Sequence, residues 1–518
     1  MPEILGHTVA TVVDSSTIGT TISTRISDRL FKPGTDEARD LKSQIANIID
    51  RLSSGETDLA VSRVIDFFLT LWTHFSVKSQ GEMYLSFAKT EMALYGLELT
   101  EQGDRYRDHL IHVFNVFVTG LVIISDMLNQ DEKLLWKTFK IKPESEKLPF
   151  PSRYDSPRRL YYLWMLASTL HDIALPVDHL QKLNDGLKRF YDHFKMEGSE
   201  LTFNFPSMSV VKASGYFRTM DIMFNEGVEY NTHPGEPTYQ LDKTHQHSPY
   251  FLRALYGGWE KRNHGVIGSF YLYDSLERTF LEGQHKILKY DLDVNAVSYR
   301  GLVVPLPNER EKWPALLKEK GIPENEWDSQ QVKRAYSGDR RQSLDYTRYV
   351  LEQDITRAAV AIAIHNMSHK QHPRLFPISF VKLPITWFLI FLDEVQEFFR
   401  PEGLWLHSVI RFQDFPTIRV KKGGPSHGFK VSVDLNFKEP PLDDETVMIS
   451  AFNKWDGKSK TVINYKELVT ETWKTIFETL QSKLSFTDTG PAIMIQISVN
   501  GKPPAEAPLV FKSANWQD

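Results

Sequence analysis

The stretch from Leu160 to Leu180 reads LYYLWMLASTLHDIALPVDHL, and it decides the fold of the chain. Its first ten residues are nearly all apolar or small, which is typical of a buried helix. The adjacent His171 and Asp172 stand at the inner end of that helix, and we expect Pro176 to end it because proline has no N–H to donate. Burying an ionisable pair is costly unless a partner binds it. A divalent metal is such a partner, since imidazole and carboxylate are both good metal ligands.

The composition is that of a globular protein and excludes several kinds of site. The chain has 518 residues, 41% of them hydrophobic and 25% charged, with a net charge of -5. A dedicated nucleic-acid-binding protein usually carries a basic excess, so nucleic acid is not an expected partner. The chain has no cysteine, so any metal must be held by His, Asp, Glu and water. We find no signal-peptide pattern and no uninterrupted apolar run of ~18 residues, and we expect a cytoplasmic protein outside the membrane.

Four further segments place a metal-ligating side chain on an apolar helix. His109 and His112 share one face of a long apolar helix between residues 101 and 130, where the small Gly120 would let another helix approach closely. The other three are His264 at the head of NHGVIGSFYLYDSL, capped by Asn263; His365 in the helix 351–372, with His369 one turn on; and Asp393 in the helix that Pro384 begins.

Each of these residues also has an ordinary structural interpretation. A single histidine on an apolar face is commonly a core side chain bonded to backbone, and for the pair His109 and His112 alone that reading is favoured. Asp393, beside Glu394 and Glu397, could mark the point where its helix meets solvent. Five segments together are harder to explain by packing, because each unsatisfied buried group costs about 1–3 kcal/mol. A shared metal centre accounts for all of them.

The chain divides into three regions by pattern. Residues 1–50 are expected to form an N-terminal arm, with an extended arm or short strand pair before residue 35 and a helix from Asp36. Residues 51–410 are expected to form a helical domain with insertions near 181–250 and 285–345. Residues 411–518 alternate apolar and polar positions, as in FPTIRVKKGG, GFKVSVDLNF, ETVMISAF and AIMIQISV, and predict a small α+β unit with one helix from Tyr465 to Leu484.

The order H…HD…H…H…D on successive helices resembles the HD-domain superfamily of metal-dependent hydrolases. The resemblance covers roughly residues 100–405, and the segments that carry it are RDHLIHVFNVF, LASTLHDIALP, NHGVIGS, AIAIHN and FLDEVQE. It implies a mainly α fold built on an HD-like helical bundle with long insertions, followed by the C-terminal α+β appendage. It also implies two divalent metal ions (Mn, Fe, Ni, Co or Mg) held by His112, His171, Asp172, His264, His365 and Asp393.

In that family pattern the two ions share one carboxylate. Carried over, His112, His171, Asp172 and Asp393 hold one ion, and Asp172, His264 and His365 hold the other. His112 is preferred to His109 as the first ligand, which leaves His109 as a catalytic or substrate-contacting group beside it. The chain departs from many HD phosphodiesterases in having Ile173, Ala174 and Leu175 where they have Ile-Gly-Lys. The expected phosphate contacts are therefore other basic residues, namely Arg107, Lys182, Arg262 and Arg357.

The resemblance implies hydrolysis of a phosphoester or phosphoanhydride, by a hydroxide held between two metal ions, in a small phosphorylated substrate such as a nucleotide. Two alternatives remain open. A minority of HD proteins use the same ligands to hold a mixed-valent di-iron pair that activates dioxygen, and the ligand list does not separate the two chemistries. A non-catalytic nucleotide sensor that signals through the α+β unit is the other. Association into a homo-oligomer is left open.

Overall fold

The structure is a computed structural model of the full chain. The structure describes the following residues: 16–30, 36–54, 56–74, 90, 105–141, 156–177, 216–217, 219–221, 223–224, 249–261, 263–274, 295–299, 302–306, 313–319, 354–396, 416–423, 428–435, 446–450, 460–464, 478–485, 493–499 and 509–511. Most of these residues are helical, which confirms the prediction of a mainly α protein. Most of the insertion predicted near 181–250 lies outside the described residues.

The helices of the described part carry most of the apolar core. The described helical segments of six residues or more are Ser16–Arg25, Asp36–Ser53, Thr57–His74, Arg105–Gln130, Glu132–Thr138, Ser156–Leu170, Pro249–Glu260, 264–274, Trp313–Glu319, 354–365, Pro384–Val395 and 478–483. The last of these lies within the predicted helix Tyr465–Leu484, whose other residues up to 477 are not described. Pro384 is the first residue of its helix, as predicted, because proline needs no N–H partner there.

The helix Arg105–Gln130 is the centre of the helical body. It packs against the helices Thr57–His74, Ser156–Leu170 and Pro384–Val395 and against the strand Thr417–Lys422. Within it, His109–Gln130 is the one stretch of the described chain long and apolar enough to cross a membrane, but 94% of its most apolar window is buried inside the protein. Such burial is typical of the core helix of a soluble protein, because a helix that is apolar all round needs neighbours on every side.

The strands expected after residue 411 are present. The main sheet has four strands, in the order Leu509–Phe511, Ile493–Val499, Phe429–Leu435 and Thr417–Lys422, and its central pair is parallel while the two outer pairs are antiparallel. Two separate antiparallel pairs join Thr446–Ser450 to Lys460–Asn464, and Asn295–Tyr299 to Leu302–Leu306. The second pair falls in the predicted insertion near 285–345, together with the helix Trp313–Glu319.

The sheet is attached to the helical body by ion pairs and hydrogen bonds. Arg25 contacts Asp126 on the central helix and also donates to the carbonyl of Ile418, 2.7 Å away, in the edge strand. Lys422 lies 2.6 Å from Asp131, whose carboxylate also caps the helix Glu132–Thr138 by accepting from the Leu134 amide at 2.9 Å. The edge strand is therefore fixed to the central helix at both of its ends.

The N-terminal expectation is wrong for the residues described. Ser16–Arg25 is a helix and not a strand, and it packs against Asp36–Ser53 and the central helix. Ile22, Ile26 and Ile45 are buried in the common core, so these residues belong to the helical body rather than to an arm. The Ser and Thr content suggested extended structure. However, Ile18 and Ile22, four residues apart, lie on one face of the helix and pack against the core, and tertiary packing outweighs weak local preference.

The expectation about Gly120 is confirmed, and the approaching group is the indole of Trp164. A Cβ atom at Gly120 would lie 2.2 Å from Trp164 Cζ2 and 2.3 Å from its Cε2. The ring cannot move aside easily, because it is fully buried and its Nε1 donates to the Phe117 carbonyl at 2.9 Å. The central helix and the helix Ser156–Leu170 therefore pack closely, because the indole of Trp164 fills the space that a side chain at Gly120 would occupy.

We expect Gly120→Ala to lower the free energy of unfolding by about 1–3 kcal/mol, because overpacking at a rigid contact exceeds the gain in helix propensity. Gly257→Ala is the control, since a Cβ there meets nothing within 4 Å and the helix Pro249–Glu260 should be unchanged or slightly stabilised. Urea unfolding of both variants checks this. Equal stability of the two variants would contradict the close contact at Gly120.

Candidate metal centre

The HD pair lies in a tight turn that follows its helix. The helix Ser156–Leu170 ends before His171, and the Ile173 amide then donates to the Leu170 carbonyl at 3.2 Å and the Leu175 amide to the Asp172 carbonyl at 2.9 Å. The expectation that the helix runs on to Pro176 is therefore wrong. These bonds span three residues, as in a 3₁₀ turn, which winds more tightly than an α-helix. In this turn the adjacent side chains of His171 and Asp172 both reach the same cluster.

The carboxylate of Asp172 lies between four histidines from four elements. Its Oδ2 is 3.5 Å from His112 Nε2 and 3.4 Å from His171 Nε2. Its Oδ1 is 3.3 Å from His264 Nε2 and 3.5 Å from His365 Nε2. Each oxygen of one carboxylate thus faces its own pair of imidazole nitrogens, and all five residues are buried.

Asp393 joins the side of the cluster that contains His112. Its Oδ1 lies 3.0 Å from His112 Nε2 and 3.6 Å from His171 Nε2, and its side chain is 19% exposed. The carboxylate therefore faces the histidines rather than only marking an exit to solvent. The neighbouring Glu394 points elsewhere and pairs with Lys483 at 2.9 Å.

Each of the four histidines presents Nε2 to the cluster, and its Nδ1 meets a second group. His171 Nδ1 lies 2.8 Å from the Ser168 carbonyl and His365 Nδ1 lies 2.6 Å from the Ile362 carbonyl, three residues back in each case. A carbonyl only accepts hydrogen bonds, so both Nδ1 atoms must carry the proton when the ring is neutral. The lone pair is then on Nε2, directed at the cluster.

The charges of the cluster shift the pKa values of its members in opposite directions. Burial lowers the pKa of His171, but the negative charges of Asp172 and Asp393 outweigh burial and raise it to about 9. Burial lowers the pKa of His365, and its hydrogen bond to Asp172 only partly offsets this. Burial raises the pKa values of Asp172 and Asp393, but the histidines around each carboxylate hold both well below the usual range.

The donor set fits a metal ion. His112 Nε2 and His171 Nε2 face each other at 3.0 Å, beside the carboxylates of Asp172 and Asp393. Electron-rich atoms this close require a cation among them, either a proton or a metal. Two buried groups have ligand atoms within 4.8 Å of one another and could hold a metal ion, namely His112, His171 and Asp172, and Asp172, His264 and His365. We call them the first and second triads. Nitrogen and oxygen ligands of this kind suit divalent transition metals.

Close packing of the surrounding elements brings the ligands together. Asn263 caps the helix 264–274, as predicted, by accepting from the Val266 amide at 3.2 Å. A Cβ at Gly265 would lie 2.6 Å from the Ile362 carbonyl and 3.2 Å from His365 Cε1, so glycine is needed where the two histidine-bearing helices meet. Lys483 donates to the His365 carbonyl at 3.2 Å as well as to Glu394, so the C-terminal unit contacts two ligand-bearing helices.

Some predicted site residues lie elsewhere. The helix that contains His365 ends at residue 365, so His369 is not one turn further along it, and its Nδ1 lies instead 3.0 Å from Ser482 Oγ. His109 is half-buried one turn before His112, whose ring is the one in the cluster. Arg357 is buried 4.0 Å from Asp354, which also binds Arg159, and these contacts favour a structural role. The side chains of Arg107, Lys182 and Arg262 lie outside the described residues.

The sequence patterns missed three residues that contact the ligands. Asn366 lies 3.1 Å from His264 Nδ1, and Gln396 contacts His112 Nδ1. Each had a weak signal, because Asn366 follows His365 directly and Gln396 lies three residues after Asp393, close to one helical turn. Lys483 had no signal, since it is 118 positions from His365 and only the tertiary structure brings the two together.

We expect the stability of the metal-free protein to depend on the proton of His171. Because folding raises the pKa of this group from 6.5 to about 9, its contribution is complete below the lower value and is lost as the pH rises through the upper one. Urea unfolding in excess chelator at intervals across this range should show a falling free energy of unfolding. His171→Gln should remove most of that slope, and an identical slope in the variant would refute the assignment.

Comparison of the chain with known protein families, with curated proteins and with solved structures finds no match in any of the three. The function of the chain must therefore be inferred from its own residues and their geometry.

Proposed function

We propose that the protein is a metal-dependent phosphohydrolase of the HD type with a dinuclear centre. The observation that carries the proposal is the position of Asp172, whose two oxygens each face a separate pair of histidines. A carboxylate placed between two pairs of imidazoles would suit two neighbouring divalent ions, and two-metal sites activate water for hydrolysis. The convergence of the predicted ligands supports the HD resemblance, because the H…HD…H…H…D order implied this grouping.

In this proposal each triad binds one of the two ions. His112, His171, Asp172 and Asp393 would hold the first ion, and Asp172, His264 and His365 would hold the second. Two bound divalent ions would supply Lewis-acid activation of water and neutralise negative charge on a phosphoryl group. Asp172 fixes the separation of the two triads, and the backbone bonds of His171 and His365 keep their Nε2 atoms directed inward. His109, one turn from His112, is the side chain we propose for substrate contact or proton transfer.

The charge of the surrounding chain supports an anionic substrate. From Ile355 to Leu392 the sequence has no acidic residue. The loop that follows His365 exposes Lys370, Arg374 and Lys382. A positive surface near a metal centre would attract negatively charged ligands and raise their local concentration. A small phosphorylated molecule such as a nucleotide fits this surface better than a neutral substrate.

Location and assembly remain predictions. We expect a cytoplasmic protein that acts on a small molecule rather than on nucleic acid or a membrane, and self-association is open.

Metal analysis of protein purified without added metal is the first test. About two ions of Mn, Ni, Co or Mg per chain, with phosphate released from a nucleotide panel, would support the phosphohydrolase. Two irons with an electron paramagnetic signal would favour the oxygenase, and no metal after reconstitution would favour the sensor.

We expect Asp172→Asn to lower phosphate release by more than about a hundredfold, since even residues that only support metal ligands are commonly worth 10–100-fold. Elemental analysis should show that both ions are weakened together, because both triads contain Asp172. Asp66→Asn, which changes a carboxylate that is 65% exposed, is the control and should keep full activity. A folded Asp172→Asn protein with the metal content of the unmodified chain would refute the proposed centre.

A further inference from the structure

Two carboxamide side chains contact the Nδ1 atoms of candidate ligand histidines, one in each triad. The amide of Gln396 lies against Nδ1 of His112 in the first triad. The amide of Asn366 lies 3.1 Å from Nδ1 of His264 in the second triad. The other histidine of each triad, His171 or His365, is held at Nδ1 by a backbone carbonyl. In each triad, therefore, the Nδ1 atom of one histidine contacts a backbone carbonyl and the Nδ1 atom of the other contacts a side-chain amide.

The two kinds of partner constrain a ring differently. A carbonyl can only accept, so it fixes the proton on Nδ1 and keeps Nε2 available as a ligand. A carboxamide has both an oxygen acceptor and an N–H donor, so it can satisfy Nδ1 with or without a proton there. With N–H directed at Nδ1, the proton of His112 sits on Nε2, which lies 3.0 Å from Asp393 Oδ1 and can donate to it. With the amide oxygen at Nδ1, Nε2 is free to bind an ion.

Gln396 is placed for this role by burial and by its helix. Its side chain is completely buried, three residues beyond Asp393, and its Nε2 also lies 3.4 Å from the Asp393 carbonyl. Within the described residues its Oε1 has no hydrogen-bond partner, although it is buried. An orphan buried oxygen costs free energy. Rotation of the amide by half a turn would bring this oxygen to His112 Nδ1, so the residue has a second arrangement available.

We infer that Gln396 and Asn366 are positioning residues, each of which orients one ligand histidine and so controls ion binding at its own triad. Gln396 governs the first triad through His112, and Asn366 governs the second through His264. The inference rests on the proposed dinuclear centre and adds two residues that act on it separately. Neither side chain contacts an ion or a substrate in this assignment.

The test compares variants that remove the amide with variants that keep an acceptor oxygen. Gln396→Met and Asn366→Leu keep the approximate size of the side chain but lose the amide oxygen, and a thioether sulfur accepts from Nδ1–H only weakly. Gln396→Glu and Asn366→Asp keep an oxygen at the same distance. The probe is Co²⁺ alone, titrated in a chelator-buffered series, with bound metal counted by elemental analysis and its environment followed by visible absorption. No substrate is present, so the readout does not depend on the enzyme activity.

We expect Gln396→Met to lower the affinity for one of the two ions by about 10–100-fold, which is the usual range for groups that orient ligands, and to leave the affinity for the other unchanged. Asn366→Leu should weaken the other ion, and the double variant should weaken both. The Glu and Asp variants should restore binding to within a few-fold of the unmodified chain. Gln371→Met, which alters an exposed glutamine of the loop after His365, is the matched control and should bind as the unmodified chain does.

The outcomes separate this inference from the proposed function. If the unmodified chain binds two ions and Gln396→Met and Asn366→Leu, folded by circular dichroism, bind them equally well, the inference is overturned and the dinuclear centre stands. If the acid variants fail to restore what the apolar variants lose, a packing role replaces positioning. If two ions bind and the amide variants behave as expected but no phosphate ester is cleaved, the inference stands and the hydrolase proposal fails. If the unmodified chain binds no ion, both fail.

Discussion

The centre depends on one buried carboxylate, that of Asp172, and on the four imidazole nitrogens within 3.5 Å of it. An isolated charge at this depth would cost several kcal/mol, and the histidines offset that cost by lowering the pKa of Asp172 well below its usual value. The rest of the helical body can be understood as the means of bringing these four rings to one side chain. Consecutive histidines of the set are separated by as many as 101 positions in the chain, between His264 and His365.

Packing rather than polar attraction determines where those segments meet. The central helix is buried on all sides, and the indole of Trp164 lies against Gly120 within it, which sets the distance between His112 and the HD turn. Gly265 sets the distance between the helix that begins at His264 and the helix that carries His365, because any larger residue would push against the backbone of the second of these helices. Cores resist small changes in volume, so contacts of this kind hold polar groups at fixed separations.

The C-terminal α+β unit is part of this support. Lys483 binds the carbonyl of His365 and the carboxylate of Glu394, the residue next to Asp393, and Ser485 accepts from the indole of Trp387 at 3.1 Å. At the other side of the unit, Arg25 and Asp131 join the edge strand to the central helix. The unit that looked like an appendage in the sequence therefore directly contacts the helices that carry the candidate ligands His365 and Asp393.

The sequence by itself determined the mainly α body, the strand pattern after residue 411 and the set of polar residues on apolar helices, because periodicity and the cost of burying His and Asp are local signals. It did not determine that Ser16–Arg25 is helical, that the HD pair lies in a tight turn, or that the helix of His365 stops at that residue. Only the tertiary structure decided which side chains contact the Nδ1 atoms of the candidate ligands His112 and His264. Asn366 and Gln396 contact histidines that are 102 and 284 positions away in the chain, and no local pattern encodes a contact between residues that only packing brings together.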